Sequence, residues 1–149
     1  MNIYLDTEFN GFGGQLISIG MISEDGRDFY MVRSLPPKVD PWVAANVIPI
    51  LGQNPVDVGT FKTKLRDYLA QFDKINIIAD WPDDIKYFCE ALILGPGIAM
   101  HHPPITFELR RDISGKSQLP HHALADAKGI RLAYLEKTAQ AKAIEALAT

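Results

Sequence analysis

Apolar positions over the first third of the chain fall in three short runs. Ile3 and Leu5 lead, Gln15-Leu-Ile-Ser-Ile-Gly-Met-Ile22 follows, and Phe29 to Val32 closes the series. Their β-branched and aromatic content predicts strands over 2–6, 15–22 and 28–33. Glu24-Asp25-Gly26-Arg27 supplies a hairpin turn between the last two, so this third reads as an antiparallel meander. Beyond Pro36-Pro37 the spacing changes to that of helices. Asp40 is a good N-cap and Pro41 a good first helical residue; Val43, Val47 and Leu51 follow, with Pro49 ending the helix nearby. A second helix is expected with Thr60 as N-cap and Phe61, Leu65, Tyr68, Leu69 and Phe72 on one face.

Residues 75–80, Ile-Asn-Ile-Ile-Ala-Asp, predict a buried strand. A helix from about Asp83 to Ile93 follows, stopped by Gly95-Pro96-Gly97. Ile105 to Leu109 predicts another strand, 113–120 a polar loop, and the chain from about His122 a helix through Leu124, Ala127, Leu132 and Leu135. The order β-β-β-α-α-β-α-β-α specifies an α/β fold: three antiparallel strands plus parallel strands in one mixed sheet, flanked by helices. In such sheets sites form where strands end and helices begin.

The 149 residues fit one domain, 1–149, and 47% apolar content supports a packed core. A net charge of −3 argues against binding nucleic acid by blanket phosphate neutralisation, so any such contact must be local. The single cysteine, Cys89, excludes an intramolecular disulfide and reads as a small core residue. The N-terminus has no basic and apolar leader, and no apolar run reaches the roughly 18 residues of a membrane span, so a cytoplasmic protein without a membrane partner is expected.

Three acidic clusters stand at element ends. Asp6 and Glu8 lie two apart on the first strand, so both face one side. Converging carboxylates repel unless a cation lies between them, and hard Mg²⁺ or Mn²⁺ prefers oxygen ligands. Asp80, Asp83 and Asp84 follow the 75–80 strand, and His121 precedes Asp126 by five positions. Alone, each cluster also fits a plain structural role: an exposed acidic turn, a helix cap at Asp83, or surface histidines and a carboxylate at a helix start.

Together they are more specific. Tyr4-Leu-Asp-Thr-Glu-Phe9, Ala79-Asp-Trp-Pro-Asp-Asp-Ile-Lys-Tyr-Phe88 and His121-His-Ala-Leu-Ala-Asp-Ala127 resemble, in order, the three motifs of the DEDD superfamily of 3′→5′ exonucleases in its histidine branch, DEDDh. Asp40-Pro-Trp-Val-Ala-Ala-Asn-Val-Ile-Pro-Ile-Leu51 is further similar to a segment of the RNase AS-type exoribonucleases of mycobacteria, which favour adenylate-containing RNA. The second motif departs from the usual pattern: Asp80 stands at an asparagine position and Asp83 replaces an aromatic. Spacing favours Asp84 as the ligand there, with Asp80 the substitute if the helix starts differently.

The resemblance implies a ribonuclease H-like fold and two-metal hydrolysis at the 3′-terminal phosphodiester. Two Mg²⁺ or Mn²⁺ ions would lie about 3.5–4 Å apart, held by Asp6, Glu8, Asp84 and Asp126. His121 would accept the proton of the attacking water, with His122 the second choice, and the product would be a nucleoside 5′-monophosphate. Phe9, Asn10 and Asp80 are expected at the substrate. Trp42 and Trp81 are expected in core or edge packing, and Arg110 and Arg111 stand where they could meet phosphates. Single-stranded RNA rather than DNA is the expected substrate, and related small exonucleases imply a homodimer. Two other functions compete: a hydrolase of short oligonucleotides, and an inert nucleic-acid-binding module of the same fold.

Overall fold

A computed structural model describes residues 1–148. Strand β1 (Asn2–Phe9) lies at the centre of a five-stranded sheet. On one side it pairs antiparallel with β2 (Leu16–Ser23), which pairs antiparallel with β3 (Asp28–Val32). On the other side it runs parallel to β4 (Ile75–Ala79), and β4 parallel to β7 (Ile105–Leu109). The expected mixed sheet is therefore present, with the order β3-β2-β1-β4-β7. Helix α1 (Pro41–Asn46) and a 3-10 turn over Ile48–Ile50 follow β3, then α2 (Val58–Leu69). Helix α3 (Pro82–Leu92) follows β4, and α4 (Ala123–Leu147) closes the chain.

Strand alternation divides the core. Ile3, Leu5, Ile75 and Ile77 point toward α2 and α3, where Phe61, Leu65 and Phe88 meet them. Tyr4, Ile22 and Ile78 point the other way, onto Ala127 and Ile130 of α4. A smaller cluster of Ile17, Val32, Val43, Val47 and Leu51 seats α1. Gly20 decides how closely α4 approaches: a Cβ there would stand 2.2 Å from the Ala123 carbonyl carbon and from the Leu124 nitrogen. Only a bare α-carbon lets the first turn of α4 lie on β2, and Gly20 is the ladder partner of Asp6.

Four local expectations are corrected. Strand β1 runs to Phe9, three residues beyond the expected end, so Asp6 and Glu8 sit within it. The α2 cap is Asp57, not Thr60; its carboxylate accepts the Thr60 N–H at 2.9 Å and the Thr60 hydroxyl at 2.6 Å. Helix α3 begins at Pro82 with Trp81 as N-cap, leaving Asp83 and Asp84 in its first turn. Strands β5 (Ile93–Gly95) and β6 (Ile98–Ala99) form a small hairpin where only a helix stop was expected. Cys89 is half-buried against the α2–α3 core. Among the described residues, no helix is long and apolar enough to cross a membrane.

Candidate active site

The parallel pairing of β1 with β4 sets the geometry. It brings the residues that follow β4 beside those of β1, while α4 crosses the same end of the sheet over β2. Five carboxylates converge there in two overlapping sets. Ligand oxygens of Asp6, Glu8 and Asp126 lie within 4.8 Å of one another, and those of Asp6, Asp80 and Asp84 do likewise. Asp6 belongs to both. The sequence left Asp80 and Asp84 as alternatives; the fold places both beside Asp6.

The electrostatics fit a cation. One buried oxygen on each of Asp6, Asp84 and Asp126 has no hydrogen-bond partner, which is costly for an ionised carboxylate. Burial first, then repulsion by Asp84, Glu8 and Asp126, holds the Asp6 carboxyl well above the usual carboxylate range. Burial and the charges of Asp126 and Asp84 push Glu8 up to about 8. Burial raises Asp84 to about 7 against two hydrogen bonds from Thr7 that pull it down. Burial also raises Asp80. Carboxyls held off their charged form by burial and by one another, in two sets that share Asp6, suit hard divalent ions.

The two histidines have different work. His122 caps α4, its Nδ1 accepting the Ala125 N–H at 3.4 Å, and its ring lies 4.3 Å from that of Tyr30. His121 adopts a left-handed backbone with φ of 69°, unusual for a residue with a side chain. Its N–H donates to Asp126 Oδ2 at 3.0 Å, and its exposed ring meets Trp42 edge-on at 4.9 Å. With Asp6, Asp80 and Asp126 it lines a cavity of about 240 Å³.

A second cleft of about 440 Å³ opens beside Glu8 and Phe9 and is walled by Phe12, Trp42 and Trp81. Phe12 is fully exposed, and Trp42 and Trp81 are 53% and 47% exposed. The packing role expected of the tryptophans is corrected: Trp42 stands off the Val43–Val47 stripe that seats α1, and Trp81 precedes the first turn of α3. The helical spacing of Val43, Val47 and Leu51 already excludes Trp42 from the buried face. Arg111 lies 4.4 Å over the Trp81 ring and donates to the Asp80 carbonyl. Arg110 is instead paired with Glu108 and Asp112 at 3.0 and 2.7 Å. Phe9 stacks on Tyr87 at 4.6 Å. Asn10 donates to the Lys38 carbonyl and accepts the Asp40 N–H, tying the Gly-rich turn to the start of α1.

No family model matches the chain. Two curated proteins do, the 3′-5′ exoribonucleases MT2234.1 and Rv2179c of two Mycobacterium tuberculosis strains, CDC 1551 / Oshkosh and ATCC 25618 / H37Rv. Each is 30% identical over 148 residues, covering 86% of this chain and 88% of the relative. The chain belongs to this 3′-5′ exoribonuclease family. Membership and acidic centre point the same way, to a nuclease using divalent metal.

Proposed function

We propose that this family member is a DEDDh exonuclease of one domain that shortens single-stranded RNA from its 3′ end and releases nucleoside 5′-monophosphates. The sharing of Asp6 between two acidic sets carries the reading, because one carboxylate common to two cation sites is what a two-metal phosphodiesterase needs. Glu8 and Asp126 complete one set; Asp84, with Asp80 beside it, completes the other. Two Mg²⁺ or Mn²⁺ ions, when bound, would supply Lewis acidity and offset charge on the phosphate.

The chain's own groups do the rest. His121 takes the proton of the attacking water at a ring nitrogen as the water oxygen bonds to phosphorus; the bond from phosphorus to the 3′ oxygen breaks, and that oxygen leaves with a proton from solvent. Asp126 holds the backbone of His121, and the Trp42 edge limits its ring. Trp42, Trp81 and Phe12 offer aromatic faces to the terminal bases, and Arg111 brings a positive charge to the same wall. A homodimer is part of this reading; Phe107 and Leu109, exposed on edge strand β7, are apolar surface that a second copy would cover.

The test is cleavage of 5′-labelled single-stranded RNA and DNA with Mg²⁺, Mn²⁺ or EDTA, by the parent and by Asp126→Ala. The expected result is a metal-dependent ladder shortening from the 3′ end, stronger on RNA and absent in the variant. Intact strands despite retained binding would overturn it.

A further inference from the structure

Arg33 follows β3 and points to the side opposite Val32, toward α2 and α3. There it lines a cavity of about 340 Å³ together with Gln15, Phe61, Lys62, Tyr87 and Glu90. The guanidinium is half-buried, and its Nε is shut off from solvent with no hydrogen-bond partner. Among the described residues, no carboxylate forms a salt bridge with it or with Lys62. Burial alone pulls Arg33 down from its ordinary value, with no acid acting on it.

Neither nearby acid pairs with these cations. Asp57, next to Arg33's bridge partner Val56, is committed to Thr60. Glu90 lines the cavity but is exposed and forms no ion pair. Lys62 rests on the Ile93 carbonyl. Two cations thus face one cavity with a single acid at its edge. Nε is closed to a ligand as it is to water; the two terminal nitrogens, not so closed and without a carboxylate partner, offer the fork that grips a phosphate through two parallel bonds.

We propose that this cavity, behind the 10–15 turn, binds a phosphate group at a site separate from the acidic centre. Arg33 is its main donor and Lys62 its second. The site is wired to the centre through one side chain. Tyr87 walls the cavity, donates its hydroxyl to the Gly14 carbonyl, and stacks on Phe9, the residue after Glu8. A phosphate lodged there bears on the tyrosine that fixes the turn and Phe9. The phosphate comes either from the free pool or from the backbone of a bound strand; only the second source rests on the exoribonuclease reading.

The experiment titrates inorganic phosphate into the metal-free full chain by calorimetry, with EDTA present. Saturable binding is expected in the parent. Arg33→Met should weaken it about tenfold or more, since a charge-assisted, bidentate contact is removed. Glu90→Gln should tighten it, and Asp126→Asn should leave it unchanged. Lys62→Met gives an independent loss should Arg33→Met melt early. Absence of saturable binding in the parent, or equal binding by the parent and both cation variants, would overturn the proposal without touching the nuclease assay. Single-stranded RNA titrated into the same proteins separates the sources. If the strand supplies the phosphate, Arg33→Met weakens RNA binding and inorganic phosphate competes with RNA. If the free pool supplies it, RNA binding is unchanged while phosphate binding is lost.

Discussion

One oxygen of Asp84 accepts two hydrogen bonds from Thr7, from the backbone N–H at 3.0 Å and from the hydroxyl at 2.6 Å. The contact joins β1 to α3 and anchors Oδ1, while Oδ2 stays buried without a partner. Thr7 thereby orients a proposed ligand. Above pH 7, where Asp84 is ionised, Thr7→Val should destabilise the protein by about 1.5–3 kcal/mol, the usual value of a hydrogen bond to a charged group. Loss of such an orienting partner should also cost about 10–100-fold in metal affinity or activity. Thermal melts and activity titrated with Mg²⁺ check both. A variant that saturates at the parent's Mg²⁺ concentration would remove the orienting role.

The raised carboxyls make the stability of the metal-free protein fall as pH rises. Glu8 moves from 4.5 to about 8 and Asp84 from 3.8 to about 7. Between those limits the folded chain binds more protons than the unfolded chain, so their stabilising contribution is full below the unfolded values and lost on the way to pH 8. In EDTA, the melting temperature should decline from about pH 5 to about pH 8, and Mg²⁺ should restore it most at the upper end. This window lies above the range of Asp25 and Asp112, both held low by arginine hydrogen bonds. Glu8→Gln should flatten the decline. A level metal-free profile would contradict the account.

Replacing the two histidines should separate chemistry from folding. His121→Ala is expected to lower kcat by about 10²–10⁴-fold, the usual contribution of a positioned proton acceptor, with little change in RNA binding or melting temperature. His122→Ala removes the acceptor that caps α4 and should cost about 1 kcal/mol of stability with a smaller loss of kcat. Rates and melts on the two variants decide it; the opposite pattern would move the proton acceptor to His122.

The exposed aromatics should show their effect in binding. Phe12→Ala, at a fully exposed position, should leave the melt unchanged and raise KM for single-stranded RNA. Stacking of one base on one ring is worth about 1–3 kcal/mol. Trp42→Ala should raise KM and also reduce kcat, because its ring touches that of His121. Unchanged KM in both variants would leave these rings without a role in binding RNA.

The five strands of the main sheet and the acid clusters were legible in the sequence because both rest on local signals. Ile3 and Leu5 before Asp6, and Ile75 to Ala79 before Asp80, mark buried strand segments that lead into carboxylates, and the fold pairs those strands in parallel. Sequence alone does not fix the cap of α2, because Thr60 and Asp57 are both good caps and the hydrogen bonds between them are visible only in three dimensions. The exposure of Trp81 was hidden because an indole between Asp80 and Pro82 carries no periodic pattern. Both Asp80 and Asp84 reach Asp6 because α3 starts at Pro82, a boundary that spacing alone leaves open. The unpaired charge of Arg33 depends on which acids lie within reach, and a linear chain does not record that.

The acidic centre draws on both ends of the fold: Asp6 and Glu8 come from the first strand, His121 and Asp126 from the approach to and first turn of the last helix. A ribosome makes these parts in sequence. A partly synthesised chain that ends before α4 therefore carries Asp6, Glu8, Asp80 and Asp84 but neither the histidine nor the carboxylate that seats it. The set of Asp6, Glu8 and Asp126 is therefore complete only once α4 lies against Gly20.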